Sequence, residues 1–384
     1  MLDVFIKRYD RHLLICLCIL SVMGTIMLYS ASWYESFSSS NGKTDMLFLQ
    51  NHLIRLLVGL VFLFAFLTFD YRNLKKIAPH LILTSIFLLL ATKLYYLLNG
   101  YSWYKPARWL FIGPVSIQTS DIARFSVIIF MSYYADKKRN QIVDFQLGLL
   151  PALSILFIIM ALIVIQPDYS TALMIGLIGI MILFIGGAQI SQLSAAGAGA
   201  LLIGIPVLLS REYRKQRILS FFGIGDNAEI GYQASQSLIS LGNGGIFGVG
   251  LGNSIEKNHF LPTPHTDFIF AIIGEELGFL IGTIPVLTLF LFIFIRGLKI
   301  AKKCTDPFGV LLAIGIVFNL VLYAFVNAAV VSGLFPVTGL PMPMVSYGGS
   351  GMVINMAMMG ILLNISQSRR SVGNKKNWSP SLYA

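Results

Sequence analysis

The feature that most constrains this chain is a series of about ten apolar runs, each close to the roughly 20 residues that cross a bilayer core. They lie near 13–32, 52–69, 77–98, 118–134, 147–166, 170–187, 193–210, 267–295, 308–333 and 350–366. A segment in lipid must satisfy its own backbone hydrogen bonds, which a helix does. The predicted fold class is therefore an all-α polytopic integral membrane protein. Composition agrees, with 56% hydrophobic and 12% charged residues, where soluble domains carry roughly 25% charged residues. The fourth run is the least regular, because it carries Asp121 and Arg124. The loop between the sixth and seventh is very short.

Basic residues set the expected orientation. Lys7, Arg8 and Arg11 precede the first run. Arg72, Lys75 and Lys76 follow the second, and Lys137, Lys138 and Arg139 the fourth. Arg296, Lys299, Lys302 and Lys303 follow the eighth, and Arg369, Arg370, Lys375 and Lys376 the tenth. All share one side if both termini are cytoplasmic. A large extracytoplasmic loop, 211–266, then separates the seventh and eighth spans. The domain reading is one transmembrane unit, 1–366, and a short polar cytoplasmic tail, 367–384. The net charge of +11 resides in these short loops, so no nucleic-acid partner is expected. Cys16, Cys18 and Cys304 make no disulfide framework and no metal site. The first run lacks a small-residue cleavage site and reads as a retained helix. One basic cluster, Arg211, Arg214, Lys215 and Arg217, falls on the outer side. It is either a basic amphipathic segment on anionic headgroups or an attractor for a diphosphate substrate.

Polar groups at a membrane boundary are costly and point to function. Asp267 ends the polar run Thr263-Pro264-His265-Thr266-Asp267 and opens an apolar helix. It reads either as a helix cap or as a general base whose pKa is raised at a low-dielectric boundary. Glu275 and Glu276 follow two turns later, about 100° apart on the helix, with structural pairing the favoured role. Asp121 and Arg124 are i, i+3 and can meet on one face. Arg108, in Lys105-Pro106-Ala107-Arg108-Trp109, can grip phosphate oxygens bidentately. Trp109 can stack on a sugar or anchor at the interface. Lys257 is counted with Arg108, Trp109, Asp121 and Arg124 as substrate-binding. The glycine-rich run from Gly242 to Ser254 reads as a flexible loop or a phosphate cradle, but it is no Walker A loop. Ser346 and Gly348 belong to a shaped re-entrant turn, 335–350, and are given supporting roles. Arg55, inside the second span, needs an acidic or carbonyl partner. His52 and His265 show no metal-ligand spacing.

Several of these pieces together resemble the SEDS family (shape, elongation, division and sporulation), typified by FtsW, RodA and SpoVE. They are Arg108-Trp109, Gln166-Pro167-Asp168, Tyr232-Gln233, Ser235-Gln236-Ser237 and Gly250-Leu251-Gly252-Asn253-Ser254. The most specific are His265-Thr266-Asp267-Phe268-Ile269-Phe270, Gly274-Glu275-Glu276-Leu277-Gly278 and Ser346-Tyr347-Gly348-Gly349-Ser350. The run at 250–254 looks more like FtsW than RodA. Departures occur at Lys105-Pro106-Ala107, where the family usually reads Gly-Ala-x, and at Thr119, Asp121 and Arg124, where Pro, Glu and Lys are commoner.

The resemblance implies a peptidoglycan glycosyltransferase that polymerises lipid II at the outer face of the bacterial cytoplasmic membrane, for septal wall synthesis in division. Asp267 falls on the family's catalytic acid. It would take the proton of the acceptor sugar 4-hydroxyl while Arg108 and Arg124 stabilise the leaving diphosphate. The resemblance also implies a class B penicillin-binding protein and other divisome membrane proteins as partners. No cofactor is required by the sequence. A divalent cation such as Mg2+ or Mn2+ is left open, with no dedicated cage visible. The rival readings are an elongation polymerase of the RodA kind and a lipid II flippase.

Overall fold

A computed structural model describes residues 9–101, 107–112, 115–210, 212–222, 228–258 and 260–367. Lys105, Pro106, Arg211 and the tail beyond Gln367 lie outside the described residues. In chain order the helices are α1 (Arg11–Ser39), α2 (Leu47–Thr68), α3 (Leu74–Leu98), α4 (Thr119–Lys137), α5 (Leu150–Ile165), α6 (Tyr169–Ile185) and α7 (Ile190–Leu209). Then come α8 (Glu212–Phe221), α9 (Ala228–Gly244), α10 (Ile269–Gly278), α11 (Ile284–Lys303), α12 (Pro307–Val331) and α13 (Ser350–Gln367). Each expected span falls on a helical segment. Eight segments are long and apolar enough to cross a membrane. The other two are α6, with 17 residues, and α4, which carries Asp121, Arg124 and Lys137.

The core of the bundle is α12 and α13, whose apolar windows are 67% and 72% buried. Small residues allow the tight contacts. Gly360 of α13 lies against the backbone of Leu63 in α2, and Gly297 of α11 lies against Val317 of α12. Polar residues inside these helices are bonded to neighbours: Asn364 Nδ2 donates to the Leu67 carbonyl at 2.7 Å, and its Oδ1 accepts from the Tyr71 N–H. At the opposite extreme, Leu193 is the one fully buried residue of α7, whose apolar window is only 6% buried.

A two-stranded antiparallel hairpin departs from the all-helical expectation. β1 (Trp109–Ile112) pairs with β2 (Val115–Gln118), Trp109 opposite Gln118. Its β-branched and aromatic residues favour an extended ribbon, and it leads directly into α4. It also fixes the position of Arg108: the Thr119 N–H donates to the Arg108 carbonyl.

The glycine-rich run after α9 packs tightly against α10. Val249 and Gly250 donate backbone N–H bonds to the carbonyls of Glu275 and Glu276. A Cβ at Gly244 would overlap the Gly274 carbonyl, and one at Gly248 the Glu276 carbonyl. Gly278 ends α10 at φ +76, a conformation open to glycine. A π-helical turn, Phe279–Thr283, then hands the chain to α11. Close backbone approach accounts for Gly244, Gly248 and Gly278.

Candidate active site

A cavity of about 510 Å³ opens among the hairpin, the ends of α4 and α6, the turn before α10, and the segment 339–355. Arg108, Trp109, Asp121, Arg124, Asp267, Ser346 and Gly348 all line it, as does Arg55. Segments far apart in sequence, from Arg55 to Asn355, thus converge on one space.

Asp267 precedes α10 by two residues. The N-cap position of that helix is Phe268, with no side-chain cap bond, so the helix-cap role falls away. The main chain at Asp267 is held by Asn327 of α12, whose Nδ2 donates to its carbonyl at 2.7 Å. Burial pushes the Asp267 carboxyl above the usual carboxylate range, and Asp168 adds to the rise. Arg108, Arg217 and His265 pull the other way. A raised pKa makes the carboxylate a better proton acceptor than an ordinary Asp.

His265 steadies the same turn. Its ring lies 4.5 Å from Phe48 and 5.6 Å from Tyr347, centroid to centroid. Its Nδ1 is 3.1 Å from the Glu35 carboxylate, and its carbonyl accepts the Tyr347 N–H.

Arg108 leaves the hairpin and donates to the Pro167 carbonyl at 2.7 Å. Its Nε is 3.8 Å from Asp168, beyond hydrogen-bond range. Asp168 itself caps α6 through the Thr171 N–H and faces the Gln118 amide. Arg124 and Asp121 meet as the i, i+3 spacing predicted, at 3.1 Å. Asp121 also accepts from Ser350 Oγ at 2.8 Å. Arg124 donates to Asn355 Oδ1 at 3.3 Å and lies 4.5 Å from the centre of the Tyr323 ring. The buried Nε groups of Arg108 and Arg124 have no acceptor among the described residues. Two guanidinium donors at one cavity fit an anion with several oxygens, such as a diphosphate.

The re-entrant segment forms the opposite wall. Ser346 Oγ accepts the Met342 N–H at 2.9 Å and shapes the turn. The Gly348 carbonyl faces Arg55 Nη1 at 3.5 Å, and the Arg55 guanidinium sits 4.7 Å from the Tyr347 ring centre. This is the carbonyl partner the second span required. The Trp109 ring packs against Gly349. Of the outer basic cluster, Arg217 reaches the Val337 carbonyl at 3.2 Å, beside the cavity wall.

Lys257 is the correction. It was expected to bind substrate, but the structure does not bring it to the cavity. Its side chain is 1% exposed and forms a 2.7 Å ion pair with Glu276, which is 0% exposed. Lys257 also donates to the Gly252 carbonyl and to Ser30 of α1. Glu275, beside it, accepts from Ser254, Ser240 and the Ile255 N–H. A lysine that must reach its glutamate inside a loop has no donor left for a ligand. Glu275 and Glu276 are each bonded to buried neighbours within the protein and do not line the cavity.

Sequence reasoning missed Asp168, Tyr323 and Asn355 as cavity-lining groups. Tyr323 and Asn355 sit inside apolar helices, where a polar group signals a cavity or a partner. Asp168 was noted in a motif without a role. Among the described residues no group of three or more His, Cys, Asp or Glu is arranged to hold a metal ion.

Known proteins give a consistent comparison. The family model for FtsW, RodA and SpoVE, described as cell cycle protein, matches residues 10–371. A probable peptidoglycan glycosyltransferase FtsW from Geobacter sulfurreducens is 35% identical over 362 residues, covering 94% of this chain and 96% of that protein. Stage V sporulation protein E of Bacillus subtilis is 36% identical over 368 residues, covering 94% and 98%. A chain from the structure of a peptidoglycan synthase complex that coordinates polymerization and crosslinking superposes with a TM-score of 0.74. It has 22% identity and covers 94% of this chain and 98% of its own.

Proposed function

The chain belongs to the FtsW, RodA and SpoVE family of cell cycle proteins and is a peptidoglycan glycosyltransferase; from that premise we propose that the cavity around Asp267 is where it joins lipid II units into glycan strands. The observation that carries this reading is the meeting, in one cavity, of a carboxylate without a cap bond and two guanidinium groups.

In the proposed reaction Asp267 accepts the proton of the acceptor sugar 4-hydroxyl. That oxygen attacks the anomeric carbon of the donor, and the bond to the lipid diphosphate breaks with inversion. Negative charge grows on the departing diphosphate, where Arg108 and Arg124 donate to it. Asp121 holds Arg124 in place, and Asp168 lies beside Arg108. Trp109 offers a flat face for a sugar ring. In this reading the arginines meet the diphosphate charge, and a divalent cation such as Mg2+ or Mn2+ is left open.

The chain is a multi-pass protein of a bacterial membrane. Cytoplasmic termini follow from the basic loops, and the FtsW-named relatives support work at the septum. A class B penicillin-binding protein fits as partner, since the structural neighbour belongs to a complex that couples polymerization to crosslinking. The test is glycan-strand formation from labelled lipid II by the purified chain, with and without such a partner. Strands from the wild type and none from Asp267→Asn are expected. Equal strand yield from both would overturn the assignment of Asp267.

A further inference from the structure

We infer that Asn327 is a positioning residue for Asp267, a role that rests on the reading of Asp267 as the base. Asn327 lies in the last two turns of α12, one of the two most deeply packed helices of the bundle, and is 1% exposed. Its Nδ2 donates to two main-chain carbonyls at once, that of Asp267 at 2.7 Å and that of Leu340 at 2.8 Å. One amide therefore joins the turn that carries the base to the segment that forms the opposite cavity wall. Its Oδ1 is buried with no partner. Both neighbours are acceptors, so only the NH2 group can face them, and the orientation of the amide is fixed by chemistry.

The arrangement does something a merely well-packed residue would not do. An amide has two N–H groups at a fixed angle, and each is used on a different segment. The distance between the Asp267 main chain and the Leu340 main chain is thereby set from a rigid helix. A reactive group must be held to about 0.5 Å by packed neighbours if it is to work. Asp267 has no cap bond of its own to supply this. Gly339 adds to the fit: a Cβ there would lie 3.3 Å from Asp267 Oδ2, so the carboxylate rests directly against that wall.

The experiment uses the full-length chain and labelled lipid II, with Asn327→Leu, Asn327→Gln and Asp267→Asn measured side by side. Asn327→Leu keeps similar volume and removes both donors. Its kcat should fall about 10–10²-fold, the scale of a 1 Å misplacement, while KM for lipid II stays within about threefold. The acid limb of its pH–rate profile should move to lower pH, because a loosened Asp267 moves toward water and its raised pKa relaxes. Asn327→Gln retains the donors one methylene further out, and should fold and show an intermediate loss with the same direction of shift. It decides the question if Asn327→Leu does not fold. Wild-type kcat and an unmoved acid limb in Asn327→Gln would overturn the inference, as would losses that follow thermal stability alone. The two readings separate through Asp267→Asn. An active Asp267→Asn removes the base and the inference together; an inactive one beside wild-type Asn327 variants removes the inference only.

Discussion

Two clusters of charge lie at opposite ends of the same ten-residue helix, α10. At its start is the cavity, where Asp267, Arg108 and Arg124 face a space of about 510 Å³. At its end is the cluster of Glu275, Glu276 and Lys257, with side chains of Lys257 and Glu276 at most 1% exposed. The first opens onto a cavity. The second has each ionic group bonded within the protein. Charge at membrane depth does chemistry where it is left incomplete, and fastens the fold where it is complete.

The largest effect that can break this contrast is at Asp267. Asp267→Asn should lower polymerisation by roughly 10²–10⁴-fold. Its thermal stability should hold or rise slightly. Burial raises the carboxyl pKa in the folded state, so the ionised form at neutral pH works against folding, and Asn removes that charge. In the wild type, activity should fall as pH drops through a pKa above the usual carboxylate range. A stable, fully active Asp267→Asn protein would erase the distinction between the two ends of α10.

Next comes the closed cluster, where the effect should reverse its kind. Glu276→Gln leaves a buried lysine without its counter-ion and should destabilise by about 3–5 kcal/mol, read by unfolding of the purified protein. The double variant Lys257→Met/Glu276→Met should recover most of that loss, because a well-packed apolar pair can replace a buried ion pair. Its KM for lipid II should match the wild type. A raised KM at normal stability would return Lys257 to the substrate site.

Arg108 should give a smaller and purely functional effect. Arg108→Ala removes a charged donor worth about 1.5–3 kcal/mol and should lower kcat/KM for lipid II with little change in melting temperature. Arg108→Lys should restore only part, since an ammonium lacks the planar fork. The smallest perturbation tests the side on which the open end lies. Ser254 is 2% exposed and bound to Glu275, so the exposed neighbour Asn253 is the better probe. Asn253→Cys should react with an impermeant maleimide in intact cells, and Lys302→Cys should not. The reverse pattern would invert the topology.

Much of the open end is legible in sequence, and little of the closed end is. Asp121 and Arg124 are neighbours on one helix, so local geometry is enough to pair them. Asp267 is marked by the change from a proline-rich turn to an apolar helix. Lys257 gives no such sign. Its partner is reached across a loop whose path depends on glycines pressed against α10, and sequence supplies the charge but not its burial. Asn327 and Asn355 are single amides in long apolar helices, and their partners lie on segments distant in the chain. The hairpin was overlooked because two four-residue strands are too short to outweigh helical runs of twenty.

The near-naked helix α7 has a consequence of its own. With Leu193 as its only fully buried residue, it is held upright mainly by acyl chains. A helix in that condition answers to bilayer thickness, and tilts when the hydrocarbon slab thins. It continues into α8, whose Arg217 reaches the carbonyl of Val337. A change in lipid composition that tilts α7 should therefore be felt, through α8, at the rim beside Asp267. Detergent micelles and membranes of different thickness should give this enzyme different rates while its compact core stays the same.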